Sequence, residues 1–337
     1  MAGDSVSRFW DALFRMPDAR NFVNIINNSV VLYLSGLAAA ICFRMKLFNI
    51  GVEGQYRVAV FAAAVFAGQA WLPGYLNTAV AVLVAMLVGA LWAGIAGLLR
   101  ATRGVSEVIS TIMLNSIAGT LVAYLLRQVG ERRGETMTTT PLPRDSWVGG
   151  IPLIPGEASK VYGFAVLAVL AGVAYWLILN RTRFGFELRA TGASQPAALA
   201  SGVDVKRMVV MAMLLSGAVA GLVGMPLLFG TDHAYASTFQ SGIGFTGIAV
   251  ALLGRNHPIG IALGAIVFSF LIEQSNVLDI VAQVSPDVVV VTQGVIVMSV
   301  VIAYEVVRRY RNTAEQRGVA RSMGGPSGKQ ETEGVVA

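Results

Sequence analysis

Polar residues interrupt a long hydrophobic region near residue 50. Asn49, Glu53 and Gln55 lie in the segment Phe48-Asn49-Ile50-Gly51-Val52-Glu53-Gly54-Gln55. Their carboxylate and amide groups could hydrogen-bond a polar solute. In a chain that crosses a membrane, irregular backbone is tolerated only where it is buried in protein or lines a cavity. The segment therefore predicts a broken or re-entrant helix near residues 48–56 beside a solute path, with an ordinary glycine-capped loop as the alternative.

A second polar stripe follows at helical spacing. Glu107, Ser110, Thr111 and Asn115 fall at i, i+3, i+4 and i+8, on one face of a helix that is otherwise apolar. The stripe suits either the wall of a solute path or a seam where polar side chains bond to a neighbouring helix. Glu107 could also serve as an acid in the first helical turn. Glu273 is a third candidate for the path, or a residue at the membrane rim.

The sequence lacks the motifs of an enzyme. It has no G-x-x-x-x-G-K-[ST] phosphate loop, no HExxH pair, no paired cysteines and no Ser/His/Asp pattern. Cys42 is the single cysteine, and His233 and His257 lie too far apart in sequence to suggest a metal site. We therefore expect no catalytic residues, no bound metal and no cofactor on this chain, so that any ATP must be used by another protein.

Composition indicates the elements that position these residues. Of the 337 residues, 55% are hydrophobic and 13% are charged, and the apolar residues form long runs. A helix needs about 20 apolar residues to cross a bilayer. The runs predict an all-α, polytopic transmembrane bundle with about nine spans (eight to ten), at 24–43, 58–72, 76–99, 105–127, 161–180, 208–230, 240–254, 258–278 and 287–307.

The remaining segments complete the predicted organisation. Residues 1–23 contain an amphipathic stretch that predicts an interfacial helix, residues 24–308 form the transmembrane domain, and residues 309–337 predict a disordered cytoplasmic tail. Most of the 25 Lys and Arg residues fall in alternate loops, which are expected on the cytoplasmic side. Arg57 is counted among these loop residues. The net charge of +6 fits loops beside anionic membrane lipid and not a nucleic-acid partner.

The long cytoplasmic loop 181–207 contains a predicted short helix. Ser194 is a suitable N-cap, Pro196 fits the first turn, and Gly202 can end the helix. So short a helix would be marginal alone, which favours a loop that docks on a partner over a plain connection. The residues assigned to this docking role are Arg189, Gly192, Ser194, Pro196, Ala197, Ala198 and Gly202.

Four stretches resemble one family of transport proteins. They are LFNIGVEGQ at 47–55, VSEVISTIMLN at 105–115, LRATGASQPAALASGV at 188–203 and GIAVALLGRNHPIG at 247–260. The chain resembles ABC importer permeases of the ribose/branched-chain amino acid permease superfamily, in the nucleoside and simple-sugar group. The resemblance covers about residues 28–308.

The resemblance implies specific partners and a location. The partners are an ABC ATPase that docks on Ser194–Gly202, a second homologous permease and an extracellular substrate-binding lipoprotein, all at the plasma membrane of a prokaryote. It also places Asn49, Glu53, Gln55, Glu107, Ser110, Thr111 and Asn115 beside the path. The expected function is ATP-driven import of nucleosides or simple sugars by alternating access. The alternative is an ion-gradient-driven transporter or channel with Glu53, Glu107 or Glu273 as the ion site.

Overall fold

Nearly all of the described chain outside its turns and loops is helical. The computed structural model describes residues 16–156, 158–282, 288, 290–300, 302–303, 306 and 309–310. It divides into two units, Met1–Gln293 and Gly294–Ala337. The amphipathic stretch before residue 16 and the tail from residue 311 lie outside the described residues, so the predictions made for them stay predictions.

Within the described residues between 16 and 282, the structure has ten helices and a small hairpin. The helices are α1 (Ala19–Phe43), α2 (Val52–Gly68), α3 (Gly74–Arg103), α4 (Glu107–Val129), α5 (Ala165–Arg181), α6 (Arg183–Ala193), α7 (Gln195–Ala200), α8 (Val205–Gly221), α9 (Ile243–Leu253) and α10 (Pro258–Ala282). After α8, a short turn at Met225–Leu227 runs into a π-helical segment at Leu228–Asp232. Strands β1 (Glu131–Arg133) and β2 (Thr136–Thr138) pair in antiparallel fashion. A further apolar helix, α11, covers Val290–Val300.

The predicted all-helical, polytopic class is supported, but the count of about nine spans is not. Among the described residues, five helices are long and apolar enough to cross a membrane, or six if the bent pair α5–α6 is one span. The other three predicted spans correspond to the shorter helices α2, α9 and α11, which have 17, 11 and 11 residues. The prediction from apolar runs alone treated these shorter helices as full membrane crossings.

Side-chain caps fix where several helices begin. Asp18 accepts a hydrogen bond from the Asn21 backbone N–H at 2.7 Å, so α1 begins at Ala19, five residues before the predicted start at 24. Thr182 caps α6 by accepting from the Gly185 N–H at 3.1 Å, and this cap lies at the 70° bend between α5 and α6.

Small residues let the central helices pack closely. A Cβ atom at Gly217 would lie 2.2 Å from the Gly89 carbonyl oxygen, and one at Gly221 would lie 2.3 Å from that of Ala85. These contacts join α3 to α8 backbone to backbone. Helix α1 is the most buried of the long helices and contacts α2, α5, α8, α9 and α10. It therefore forms the core against which the shorter helices α2 and α9 are placed.

Candidate functional site

Helix α2 begins deep inside the bundle. The chain is non-helical from Arg44 to Gly51. The Phe48 N–H lies 3.5 Å from a carboxylate oxygen of Glu107, the first residue of α4, whereas the Gly54 N–H donates to Asn115 at 2.8 Å. Asn115 lies about 12 Å farther along α4, at 1.5 Å per residue. The break therefore runs beside the first two turns of α4, and α2 starts near the middle of that helix.

The carboxylate of Glu53 joins this break to a second one. Its two oxygens accept hydrogen bonds from the backbone N–H groups of Gly242 and Gly244, each at 2.9 Å. The Tyr56 hydroxyl donates to the Gln240 carbonyl oxygen at 2.6 Å. We call these five residues the Glu53 junction. Because Glu53 lies in the first turn of α2 and caps the start of α9, the positive ends of both helix dipoles favour its negative charge.

Two glycines make the junction possible. Gly242 has a φ of +87°, a left-handed conformation that disfavours other residues. A Cβ atom at Gly244 would lie only 2.3 Å from the Glu53 backbone nitrogen. Helices α2 and α9, which we call the half-helices, thus begin at one point. Neither is as long as the roughly 20 residues that a full crossing needs.

Asn49 and Gln55 close the first break. Each amide nitrogen donates to the other side chain's oxygen, at 3.0 and 2.8 Å. Asn49 also donates to the Ser216 hydroxyl at 2.8 Å, and Ser216 donates to the Ala38 carbonyl at 2.6 Å. Both amide side chains are fully buried. In this conformation they bind protein groups and tie the break to α1 and α8.

The polar stripe of α4 faces the same break. Asn115 donates to the Ile50 carbonyl at 2.9 Å in addition to accepting from Gly54, so it binds the backbone on both sides of Gly51. Glu107 forms an ion pair with Arg100 at 3.3 Å. The hydroxyls of Ser110 and Thr111 donate to carbonyls of their own helix. Asn115 and Glu107 thus reach other segments of the bundle, whereas the Ser110 and Thr111 hydroxyls bond within α4.

Glu273 lies elsewhere in the bundle. It is buried on α10, and its carboxylate accepts a hydrogen bond from the Asn24 amide of α1 at 3.0 Å. The nearby Ser269 hydroxyl is buried and forms no hydrogen bond within the part of the chain that the structure describes. Glu273 thus holds an α1–α10 contact, whereas the other seven predicted path residues cluster around the first break.

Arg57 borders a cavity that the sequence analysis missed. The interpretation as a cytoplasmic loop residue is wrong, since Arg57 is the sixth residue of α2. The cavity has a volume of about 220 Å³, and we call it the Arg57 cavity; its walls include Arg57, Gly119, Leu126, Met137, Tyr235 and Ser237. Arg57 follows Glu53 by four residues, a helical spacing that could have identified it. A separate groove of about 910 Å³ between α1, α5 and α10 is almost wholly apolar and suits lipid better than a polar solute.

The predicted docking helix is present as α7. Ser194 accepts from the Ala197 N–H at 3.4 Å, Pro196 lies in the first turn, and Gly202 has a φ of +81°. Of the residues assigned to docking, Ser194, Pro196 and Ala197 are exposed, whereas Gly192 and Ala198 are buried. Leu199, which the sequence analysis did not single out, has 60% of its surface exposed.

Gly192 connects the docking loop to the first break. A Cβ atom there would lie 2.5 Å from the Arg44 carbonyl oxygen and 2.9 Å from the Met45 Cα. The end of α6 therefore packs directly on the turn that leads into the break. Arg189, one helical turn earlier, has a buried guanidinium nitrogen with no hydrogen-bond partner.

Comparison with known proteins identifies the family. Residues 21–323 match the model of the branched-chain amino acid transport system / permease component family. The guanosine ABC transporter permease protein NupP of Bacillus subtilis is 37% identical over 81% of this chain and 78% of its own length. The nucleoside permease NupB of Lactococcus lactis is 33% identical (76% and 72%), and the glucose permease TsgB13 of Haloferax volcanii is 32% identical (85% and 77%). The chain belongs to this family of ABC transporter permeases.

Proposed function

We propose that this permease carries nucleosides into the cell through the plasma membrane, with simple sugars as the alternative solute. The observation that carries the proposal is the pair of half-helices that begin at the Glu53 junction, in a chain that is similar to guanosine and nucleoside permeases. Broken helices that begin near the midplane often border the binding sites of transporters. The glucose permease among the relatives supports the alternative solute.

The predicted path residues have a positioning role in this proposal. Asn49, Gln55 and Asn115 bind backbone or one another at the first break, and Glu53 binds the start of α9. Ser110, Thr111 and Glu107 lie on the same face of α4 as Asn115. These residues hold the half-helices beside the path, and the solute passes next to them. Glu273 supports the α1–α10 contact and borders the path only if that contact opens.

An ATPase partner drives the cycle through α7. The exposed face of α7, with Ala197 and Leu199, is the docking surface. Closure of the ATPase pair displaces α6 and α7, and Gly192 transmits the displacement to Arg44 and Met45. The break then moves relative to α4, and the access of the path changes from one side to the other. ATP is bound by the partner and not by this chain.

The other partners occupy the remaining surfaces. Helix α4 exposes Ile112, Met113, Ile117 and Tyr124 on the face opposite its polar stripe. A second homologous permease covers this face, and the path lies between the two subunits. An extracellular substrate-binding lipoprotein delivers the solute from the outer side. Lipid covers the other apolar faces.

Transport measurements test this function directly. Cells that carry the gene should accumulate radiolabelled inosine or guanosine faster than a deletion strain, and glucose serves as the sugar control. Right-side-out vesicles with ATP trapped inside should retain this uptake when ionophores collapse all ion gradients. Uptake that requires a gradient and ignores ATP would instead support the ion-driven alternative, and faster accumulation of glucose alone would support a sugar permease.

A further inference from the structure

Arg57 carries a positive charge that no carboxylate neutralises in the part of the chain the structure describes. The ion pairs Arg100–Glu107, Arg133–Glu131 and Arg183–Glu187 do not involve Arg57. Glu53, one helical turn before Arg57, has both oxygens bound to backbone N–H groups of the junction. The Arg57 Nε atom is buried and has no hydrogen-bond partner among the described residues. An unneutralised charge inside a membrane protein is costly unless it faces a partner or a hydrated path.

The space beside Arg57 is kept open by a glycine. A Cβ atom at Gly119 would have a single neighbour within 4 Å, the Arg57 Nη1 atom at 3.7 Å. A larger side chain on α4 would enter the Arg57 cavity. With a glycine at this position, the guanidinium faces a cavity of about 220 Å³.

An ordered aromatic side chain forms part of the cavity wall. Tyr235 stacks on Phe239 with ring centroids 5.1 Å apart and lies edge-on to Phe61 at 5.6 Å. Thr139 fixes the Tyr235 backbone through two hydrogen bonds, at 2.9 and 3.0 Å. Tyr235 and Arg57 both line the cavity. The lining of the cavity therefore includes two arginines, Arg57 and Arg127, together with the aromatic Tyr235 and apolar residues such as Leu126 and Met137.

These features match one class of ligand. A guanidinium presents parallel N–H donors in one plane, and the O6 and N7 atoms of a 6-oxopurine present two acceptors at the matching spacing. The faces of the base suit the aromatic and apolar walls. A 6-aminopurine places an N–H donor where the oxo group would be, and a sugar lacks the aromatic ring that carries the O6/N7 pair.

We propose that the Arg57 cavity binds the O6/N7 edge of a 6-oxopurine nucleoside during transport, with Arg57 as the residue that selects oxo over amino purines. The inference rests on the proposed nucleoside function and deepens it. Arg57 donates to the base, and Gly119 provides the space that the base occupies.

Uptake of inosine and adenosine by the complete importer tests the proposal, because the two differ at position 6 of the base. The unmodified protein should take up inosine in preference to adenosine. Arg57→Met should lower inosine uptake at least about tenfold, within the discrimination that a bidentate arginine contact provides, and should change adenosine uptake much less. Arg57→Lys keeps the charge but loses the planar fork, so it should also lower the ratio of inosine to adenosine uptake.

Two further variants complete the design. Arg103→Met removes an exposed arginine at the end of α3 and should leave the ratio unchanged. Gly119→Val fills the cavity next to Arg57 and should lower the uptake of both nucleosides. Immunoblots of membranes give the amount of each variant. If Arg57→Met does not accumulate in the membrane, the uptake ratio of Arg57→Lys and the uptake by Gly119→Val test the proposal in its place.

Each outcome bears on one of the two proposals. Equal loss of inosine and adenosine uptake in the Arg57 variants would mean a structural role and would overturn the inference. An unchanged ratio, or normal uptake in Gly119→Val, would also overturn it. If the unmodified importer takes up no nucleoside faster than the deletion strain, the proposed function itself fails, which is a different result.

Discussion

Replacement of Glu53 by glutamine tests whether its carboxylate holds the half-helices together. In the structure, each carboxylate oxygen accepts one backbone N–H, from Gly242 and from Gly244, at 2.9 Å. Glutamine has the same size but offers only one oxygen. Its amide group would point N–H donors at one of the two backbone N–H groups, and that group would be left unpaired in a buried site.

The size of the effect follows from these contacts. A hydrogen bond to a charged group contributes about 1.5–3 kcal/mol, and a buried unpaired donor costs about 1–3 kcal/mol. The loss of one hydrogen bond and the unpaired buried N–H should therefore lower the free energy of unfolding by roughly 2.5–6 kcal/mol. Part of the interaction of the negative charge with the two helix N-termini is lost as well.

Thermal unfolding of the detergent-purified chain measures this effect. The matched control is Glu273→Gln, since Glu273 is also buried but accepts a hydrogen bond from a side-chain amide that a glutamine oxygen can still accept. We expect the unfolding midpoint to fall by several degrees in Glu53→Gln and to change little in Glu273→Gln. Equal midpoints for the two variants would refute the reasoning that the Glu53 carboxylate caps α9.

Three other substitutions test neighbouring contacts. Gly244→Ala should lower the free energy of unfolding by about 1–3 kcal/mol, because the added Cβ would lie 2.3 Å from the Glu53 backbone nitrogen. Gly149→Ala is the control, since an added Cβ there has no atom within 4 Å, and it should leave the unfolding midpoint unchanged in the same thermal measurement. Gly192→Val should lower ATP-driven uptake strongly while the ATPase still co-purifies, and normal uptake would contradict a mechanical role for the contact with Met45. Leu199→Glu places a charge on the exposed face of α7 and should abolish co-purification of the ATPase without lowering the amount of permease in the membrane; retained co-purification would argue against this docking surface.

Local features of the sequence predicted the local structure. Ile50 and Val52, apolar residues among glycines and polar side chains, indicated a break, and the chain is non-helical up to Gly51. Ser194 and Gly202 marked the two ends of the short helix that we predicted as a docking element, and α7 lies between them. In each case the signal comes from residues within a few positions of the feature, because caps and helix breaks are short-range effects.

Such short-range sequence patterns could not predict contacts between residues that lie far apart in the sequence. The partners of Glu53 are backbone N–H groups about 190 residues later, and backbone donors have no side-chain signature in a sequence. Arg57 was assigned to a loop because an uninterrupted apolar run begins at Val58. The half-helix α9 was counted as a span because hydropathy does not reveal that its first residues are capped inside the bundle.

The contacts around the two breaks form a closed ring of neighbouring segments. Such a ring explains how a movement of the short loop at α6 and α7 could displace the half-helices. Gly192 of α6 packs on Arg44, and the Arg44 guanidinium donates to the Asn256 carbonyl oxygen, which follows the end of α9, at 2.8 and 3.2 Å. The start of α9 is bound by Glu53 of α2, and the chain that leads into α2 returns to Arg44. Backbone contacts and charged hydrogen bonds make each link short and stiff. We therefore expect a displacement of α6 to move both half-helices together.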